Sequence, residues 1–462
     1  MSVMIRNGRI VTADENYIAD IFIEQEKVTA IGVGLPYKAE KIIDAAGKYI
    51  IPGGVDVHTH LDMPLGNISS SDDFETGTRA AAFGGTTTII DYATQLKGMR
   101  MQDAFAAWRK KAEGKACIDY GFHMIITELP DDYLNDMDEM IDQGITSFKL
   151  FMAYPGVLMV DDSTILKAMK KAAENGGLIC MHAEDGNKIE AIVRKTIAEG
   201  KTLPIYHALT RPPTTEAEAV QRAIDLAEEA NVPVYIVHVS SQDALQKIIE
   251  ARDKKAKVFA ETCPQYLFLS IDDLEKPDFE GAKYVLTPPL REKWNQDKLW
   301  DGIKNNHLQI VSTDHCPFNF RGQKDLGIND FSKIPNGGPG IENRLHLLFD
   351  RGVLKERITI NQWVAIISTT PAKLFGLFPK KGTIEVDSDA DLVIWDPNKT
   401  HTISARTHHM RVDYSMYEGF KVQGFAEIVL SRGEVIINRG EWSGRSGRGR
   451  FIKRNKYTEI IE

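Results

Sequence analysis

The residues best equipped for chemistry begin with a histidine pair. His58 and His60 close the run Val55-Asp56-Val57-His58-Thr59-His60, spaced i and i+2. Strand side chains alternate, so two residues at that spacing point the same way. Two imidazoles on one face can grip one metal ion. Alone, such a pair is weak, because surface histidines are common. Its company strengthens it. Lys149 lies in Ser147-Phe148-Lys149-Leu150-Phe151, His182 ends Cys180-Met181-His182, and His238 sits in Val237-His238-Val239-Ser240. Asp314 sits in Ser312-Thr313-Asp314-His315. Each polar group comes at the C-terminal end of an apolar run. One such histidine reads as a satisfied core residue; the whole set aimed at one place is expensive to desolvate unless something there uses it.

Lys149 is the odd member. A lysine inside an apolar strand is costly to bury as a cation, and bound metal ions would repel it. One reading has it snorkelling or paired with Asp314. The other has its neutral amine take up CO2 and become a carbamate, an anion with two oxygens. Four neutral imidazoles and one carboxylate leave a two-metal centre short of anionic ligands. A carbamate supplies one and can span the ~3.5–4 Å of such a centre.

These residues need a frame that brings strand ends together. Eight apolar, β-branched segments recur, each followed by a helical stretch: 50–58, 86–92, 119–126, 145–152, 177–182, 232–239, 258–262 and 309–314. Apolar strands alternating with helices indicate a parallel sheet covered on both faces. Eight units predict an α/β fold, a (β/α)8 TIM-type barrel, which places catalysis at the C-terminal ends of its strands. Short β-like runs at 3–12, 20–32 and 41–51 precede it; runs at 382–386, 390–395, 425–431 and 433–438 follow. The two chain ends are therefore expected to meet in one small β-sandwich domain: 1–50 and 377–440 form it, 51–376 the catalytic barrel, and 441–462 a C-terminal tail. That tail carries Arg445, Arg448, Arg450, Lys453, Arg454 and Lys456. It reads as solvated or as a contact between subunits.

Composition narrows the class. Of 462 residues 43% are hydrophobic and 26% charged, as in an ordinary globular protein. A formal net charge of −9 argues against a nucleic-acid partner. No apolar run approaches the ~20 residues that span a bilayer, so no membrane partner is expected. The N-terminus lacks the apolar core of a signal peptide. Four scattered cysteines without a CxxC pair fit a reducing cytoplasm and argue against disulfides or a thiolate zinc site.

Longer motifs carry a family resemblance over essentially the whole chain. They are His58-Thr59-His60-Leu61-Asp62-Met63-Pro64, Phe83-Gly84-Gly85-Thr86-Thr87, Phe148-Lys149-Leu150-Phe151-Met152-Ala153-Tyr154 and Glu261-Thr262-Cys263-Pro264-Gln265-Tyr266. Pro288-Pro289-Leu290-Arg291, Asp314-His315-Cys316-Pro317 and Ile334-Pro335-Asn336-Gly337 continue the set. Together they resemble the bacterial hydantoinase and dihydropyrimidinase family of cyclic amidohydrolases. The resemblance implies two divalent metals per subunit, usually Zn2+ with Mn2+ or Co2+ as alternatives, and CO2 taken up to form N6-carboxylysine at Lys149. His58, His60, Lys149 and Asp314 would bind the first metal; Lys149, His182 and His238 the second. Tyr154 would polarise the scissile carbonyl, and the backbone at Thr287 and Asn336 would hold the ring amide. A homotetramer, sometimes a homodimer, is implied. Two departures stand out: Thr287 replaces the usual serine, and Pro155-Gly156 follows Tyr154 where a lysine is usual. Proline restricts the residue before it, so the Tyr154 loop is expected to sit differently.

The implied reaction hydrolyses the cyclic amide of hydantoins or 5,6-dihydropyrimidines to N-carbamoyl amino acids. A hydroxide bridging two metals would attack, because bound water has its pKa lowered towards ~7. Asp314 would carry the proton to the leaving nitrogen. Met63, Leu65, Phe151, Tyr154 and Leu158, on the loops after strands 1 and 4, are candidates for the pocket of the exocyclic group, or simply buried loop residues. Dihydroorotase resembles the pattern HxHxR; Asp62 stands at that fifth position and would repel a substrate carboxylate. A non-catalytic relative would have lost metal ligands, whereas every ligand position is filled.

Overall fold

In the computed structural model, which describes residues 2–457, eight parallel strands form one curled sheet. They are β1 (Gly54–Thr59), β2 (Thr86–Thr94), β3 (Asp119–Ile125), β4 (Ser147–Phe151), β5 (Leu178–His182), β6 (Val234–Ile236), β7 (Val258–Thr262) and β8 (Ile310–Val311). Neighbours pair in chain order, and helices run between them. The strands read as apolar runs because both faces are buried. Closure between β8 and β1 uses individual bonds. His60 N–H donates to the His315 carbonyl at 2.9 Å. Below it, the buried Arg344 donates Nη1 to the carbonyls of Val55 and Val311, each at 3.0 Å. The Asp56 carboxylate accepts from the Thr313 amide at 3.1 Å and its hydroxyl at 2.6 Å. The result is the (β/α)8 barrel expected.

The segment 50–58 is not one strand. Tyr49–Pro52 pairs with Leu392–Thr402 in the terminal sheet, and only Gly54–Thr59 belongs to the barrel. Gly53 turns its N–H to the Asp391 carbonyl at 2.8 Å, which ends one ladder and starts the next. A side chain there would not fit, since an added Cβ would stand 2.1 Å from Thr87 Oγ1. Strands β6 and β8 also stop short of the expected 239 and 314. His238 (φ 41°) and Asp314 (φ 51°) adopt left-handed backbone, which cannot continue a ladder.

Both chain ends build a separate nine-stranded sheet with its own core of Val3, Ile5, Ile21, Ile43, Leu392 and Leu430. The run 20–32 is a hairpin, Asn16–Glu24 and Lys27–Gly32, turning at Gln25 (φ 52°) and Glu26 (φ 72°). Neither is a usual turn residue, which is why the break is invisible in the sequence. The expected strand 382–386 does not form. Ser388 Oγ donates to the Glu385 carbonyl at 2.7 Å and accepts from its N–H at 3.3 Å, and such local bonds compete with a ladder. The last strand of this sheet, Glu441–Trp442, lies within the expected tail.

The rest of the described tail is solvated only in part: Arg445, Arg450, Lys453 and Lys456 are exposed, whereas Arg448 and Arg454 are buried, which corrects the solvated reading for those two; residues 458–462 lie outside the described residues. It runs along the barrel's N-terminal end. Ile452 N–H donates to the Tyr120 carbonyl at 2.8 Å. The buried Arg454 donates Nη2 to the Phe122 carbonyl at 2.6 Å and to Ser147 Oγ at 2.8 Å. No helix among the described residues is long and apolar enough to cross a membrane.

Candidate active site

The fold brings all six expected polar groups to one end of the barrel. Asp314 Oδ1 lies 3.1 Å from His58 Nε2 and 3.4 Å from His60 Nε2. Lys149 Nζ is 2.9 Å from the same His58 Nε2. His182 Nδ1 is 2.9 Å from His238 Nε2, and the rings of His58 and His238 are 5.4 Å apart. Ligand atoms of His58, His238 and Asp314 all lie within 4.8 Å of one another, a group able to hold a metal ion.

Electrostatics suit that use. Burial pushes the His60 imidazole down to about 4, and it lowers His182 and His238 as well. Neutral imidazoles keep the lone pair a metal needs. Burial pulls His58 the same way, but the Asp314 and Glu261 carboxylates outweigh it. Burial alone would raise the Asp314 carboxyl; His58 and His60 hold it well below the usual carboxylate range instead. Nδ1 of His60 and Nδ1 of His238 are buried without a hydrogen-bond partner. The nitrogens that face the cluster are Nε2 of His58, His60 and His238 and Nδ1 of His182, which meet one another and Asp314 at 2.9 to 3.4 Å; that donor set fits a bound cation better than a closed hydrogen-bond network.

Lys149 is 1% exposed, which rules out snorkelling. Nor does it pair with Asp314, whose Oδ1 faces His58 and His60. Its Nζ lies 4.2 Å from the centre of the Tyr92 ring. Burial lowers its pKa, which favours the neutral amine.

Two carboxylates missed in the sequence face the centre's outer side. Glu261 takes a short hydrogen bond from His58 Nδ1 and accepts from the Tyr235 hydroxyl at 2.7 Å. Glu184 lies 3.0 Å from His182 Nε2. Each holds the ring nitrogen that faces away from the cluster, as the outer partners of metal-bound histidines do. Both are acidic residues at strand ends of the same barrel, a signal that could have flagged them.

The expected substrate residues converge only in part. Tyr154, φ 65°, leads a tight turn in which the amides of Val157, Leu158 and Met159 all point to its carbonyl at 3.1 Å. That left-handed conformation before Pro155 is a strained choice of the kind active sites hold. Burial raises the Tyr154 phenol above its ordinary value, so it keeps its proton near neutrality. Asn336 Nδ2 donates to its hydroxyl at 3.3 Å, and Thr287 lies beside it. Phe151, Tyr154 and Leu158 share one apolar cluster with Tyr92 and Ile125. Met63 and Leu65 do not join it; Leu65 stands 41% exposed on the small hairpin Pro64–Leu65 with Ile68–Ser69.

Fold and site together define a barrel hydrolase of the amidohydrolase class. The amidohydrolase family model matches residues 49–435. A D-hydantoinase of Geobacillus stearothermophilus is 54% identical over 462 residues, covering 100% of this chain and 98% of its own. The crystal structure of a dihydropyrimidinase from Brevibacillus agri NCHU1002 superposes with a TM-score of 0.99 at 53% identity, over 99% of this chain and 100% of that one. An L-hydantoinase (dihydropyrimidinase) from Arthrobacter aurescens reaches 0.90 at 32% identity, over 98% and 99% of the two chains. The chain belongs to the amidohydrolase family, in its hydantoinase and dihydropyrimidinase group, and is a cyclic amidohydrolase.

Proposed function

We propose that this protein hydrolyses the cyclic amide bond of hydantoins and 5,6-dihydropyrimidines to N-carbamoyl amino acids at a two-metal centre. The observation that carries this reading is the convergence of four histidines, Lys149 and Asp314 at the barrel mouth of a cyclic amidohydrolase. His58, His60, Lys149 and Asp314 would hold one divalent ion; Lys149, His182 and His238 the other. The imidazole-rich set suits Zn2+, with Mn2+ and Co2+ as alternatives. Bound there, such ions lower the pKa of water towards ~7 and polarise the carbonyl. Lys149 contributes as its carbamate: the neutral amine adds to the carbon of CO2 and loses a proton, leaving an anion with two oxygens.

The chain's own groups do the rest. Water adds to the ring carbonyl carbon, and Asp314 accepts its proton. The Tyr154 hydroxyl donates to the developing oxyanion. Asn336 donates to that hydroxyl, which leaves the phenol's own hydrogen for the substrate. Backbone at Thr287 and Asn336 holds the ring amide in line. Asp314 then delivers the proton to the ring nitrogen as the C–N bond breaks. Phe151 and Leu158, packed in one cluster with Tyr154, would line the space for the exocyclic group, and Met63 and Leu65 on the loop after β1 would complete it. We assign the enzyme to the cytoplasm, where its four free cysteines stay reduced, as a homotetramer or homodimer.

A turnover panel tests this: dihydrouracil, hydantoin, 5-substituted D- and L-hydantoins, allantoin and dihydroorotate. Hydantoins and dihydrouracil are expected to turn over, the D-substituted forms faster than the L, in keeping with the 54% identical D-hydantoinase. Chelation should abolish turnover, and Zn2+ or Mn2+ should restore it. Full activity in metal-free protein, or turnover of dihydroorotate alone, would sink the proposal.

A further inference from the structure

Lys324 is a fully buried amine whose side-chain acceptors are three backbone carbonyls: Val285 at 2.7 Å, Pro335 at 2.9 Å and Gly337 at 2.7 Å. Among the described residues no carboxylate forms an ion pair with it. An apolar side chain would fill the same space without desolvating a charge, so packing does not explain it. The location of its acceptors does. Pro335 and Gly337 flank Asn336 on both sides, and Val285 is two residues before Thr287. Gly337 N–H also donates to the Val285 carbonyl at 3.1 Å, stitching the two segments together at the point Lys324 grips. Gly337 (φ 138°) is pressed so close to the loop after Asp314 that an added Cβ would stand 2.3 Å from the Cys316 carbonyl. From this platform Asn336 reaches the Tyr154 hydroxyl.

We infer that Lys324 is a positioning residue for the reaction: its three N–H bonds set segments 285–287 and 335–337, and through them the ring-holding backbone and the Tyr154 hydroxyl. The inference rests on the ring contacts proposed above for Thr287 and Asn336. A protonated amine has one hydrogen for each carbonyl, whereas a neutral amine has two hydrogens and a lone pair facing the third oxygen. Burial pushes the Lys324 ammonium down to about 7, while hydrogen bonds to three carbonyls are a geometry that favours the protonated form.

Two variants test it in metal-loaded protein beside the wild type. Lys324→Met keeps most of the stem and removes the donors. Lys324→Ala opens a slot that propylammonium can refill. Hydantoin kinetics and hydrogen exchange at the Gly337 amide are both followed. Lys324→Met is expected to retain its metal, to raise KM about tenfold to a hundredfold with a smaller change in kcat, and to exchange faster at Gly337. Propylammonium, and not propanol, should lower the KM of Lys324→Ala and restore its protection. Wild-type KM and wild-type exchange in a folded Lys324→Met overturn the inference, as does equal rescue by propanol. Should Lys324→Met fail to fold, absence of recovery in Lys324→Ala with propylammonium overturns it. A wild type inactive on every cyclic amide removes the proposed substrate instead, and the exchange arm still judges the grip of Lys324.

Discussion

Glu261→Gln should weaken metal binding without dismantling the barrel. Glu261 is fully buried. One oxygen takes the short bond from His58 Nδ1 and accepts from the His238 amide at 3.2 Å; the other accepts from Tyr235 at 2.7 Å and from the Ser312 hydroxyl. Alanine would strand all four donors at about 1–3 kcal/mol each, and the fold itself would be at risk. Glutamine has the same shape. Its carbonyl can still face His58, and its NH2 can face Tyr235 and Ser312, whose hydroxyls rotate to accept. What disappears is the negative charge that steadies His58 in the tautomer with Nε2 free. Loss of such an outer partner reduces metal affinity about 10- to 100-fold, or about 1.4–2.7 kcal/mol at 1.36 kcal/mol per tenfold. The assay is a competition titration of metal-free protein against a chromophoric chelator, with circular dichroism as the check on folding. A folded Glu261→Gln that binds Zn2+ as tightly as wild type would refute the idea that Glu261 orients a metal ligand.

Other variants separate the remaining roles. Asp314→Asn is expected to lower kcat by at least about a hundredfold, beyond any loss of bound metal, the range of a general acid–base group; a variant with both metals and near-normal kcat removes the shuttle. Lys149→Ala should lose metal together with activity, and short carboxylic acids plus metal should recover part of both; electron density for a bare amine with two metals and full activity would end the carbamate reading. Leu158→Ala should shift the ranking among 5-substituted hydantoins more than Leu65→Ala, because Leu158 packs in the cluster with Phe151 and Leu65 is 41% exposed; an unchanged ranking in both would show that these loops do not select the exocyclic group.

The barrel was legible because buried parallel strands must be apolar on both faces, and that pattern is dense in the stretch from Thr86 to Thr262. The six polar groups were legible for the complementary reason: a His, Lys or Asp at the end of such a strand contradicts its surroundings. The outer carboxylates were harder to see. Glu184 and Glu261 are also acidic groups at strand ends, but a single acid there is as readily a surface residue as a partner for histidine, and only distance decides. The tail misled because Arg448 and Arg454 look solvated in sequence. Both are buried, donating to the carbonyls of Ser431 and Phe122, which no local pattern encodes.

The strand ends themselves explain how the site is aimed. Period-two alternation accounts for His58, Lys149 and His182, which still lie within strands β1, β4 and β5. It cannot account for His238 and Asp314, which lie beyond the last paired residues of β6 and β8. There the chain has left the ladder, and left-handed backbone at φ 41° and 51° turns each side chain back toward the cluster. Tyr154 does the same at φ 65°. Such conformations cost about 1–3 kcal/mol each at residues other than glycine and persist only where the surroundings enforce them. For His238 the enforcing bond is its amide to Glu261; for Asp314 it is the neighbouring anchor of Thr313 to Asp56. The carboxylate that holds His58 from behind therefore also holds the bend at His238, which couples histidines assigned to the two different metals. A change at Glu261 should be felt at both metal positions, and the chelator titration should show two weakened steps rather than one.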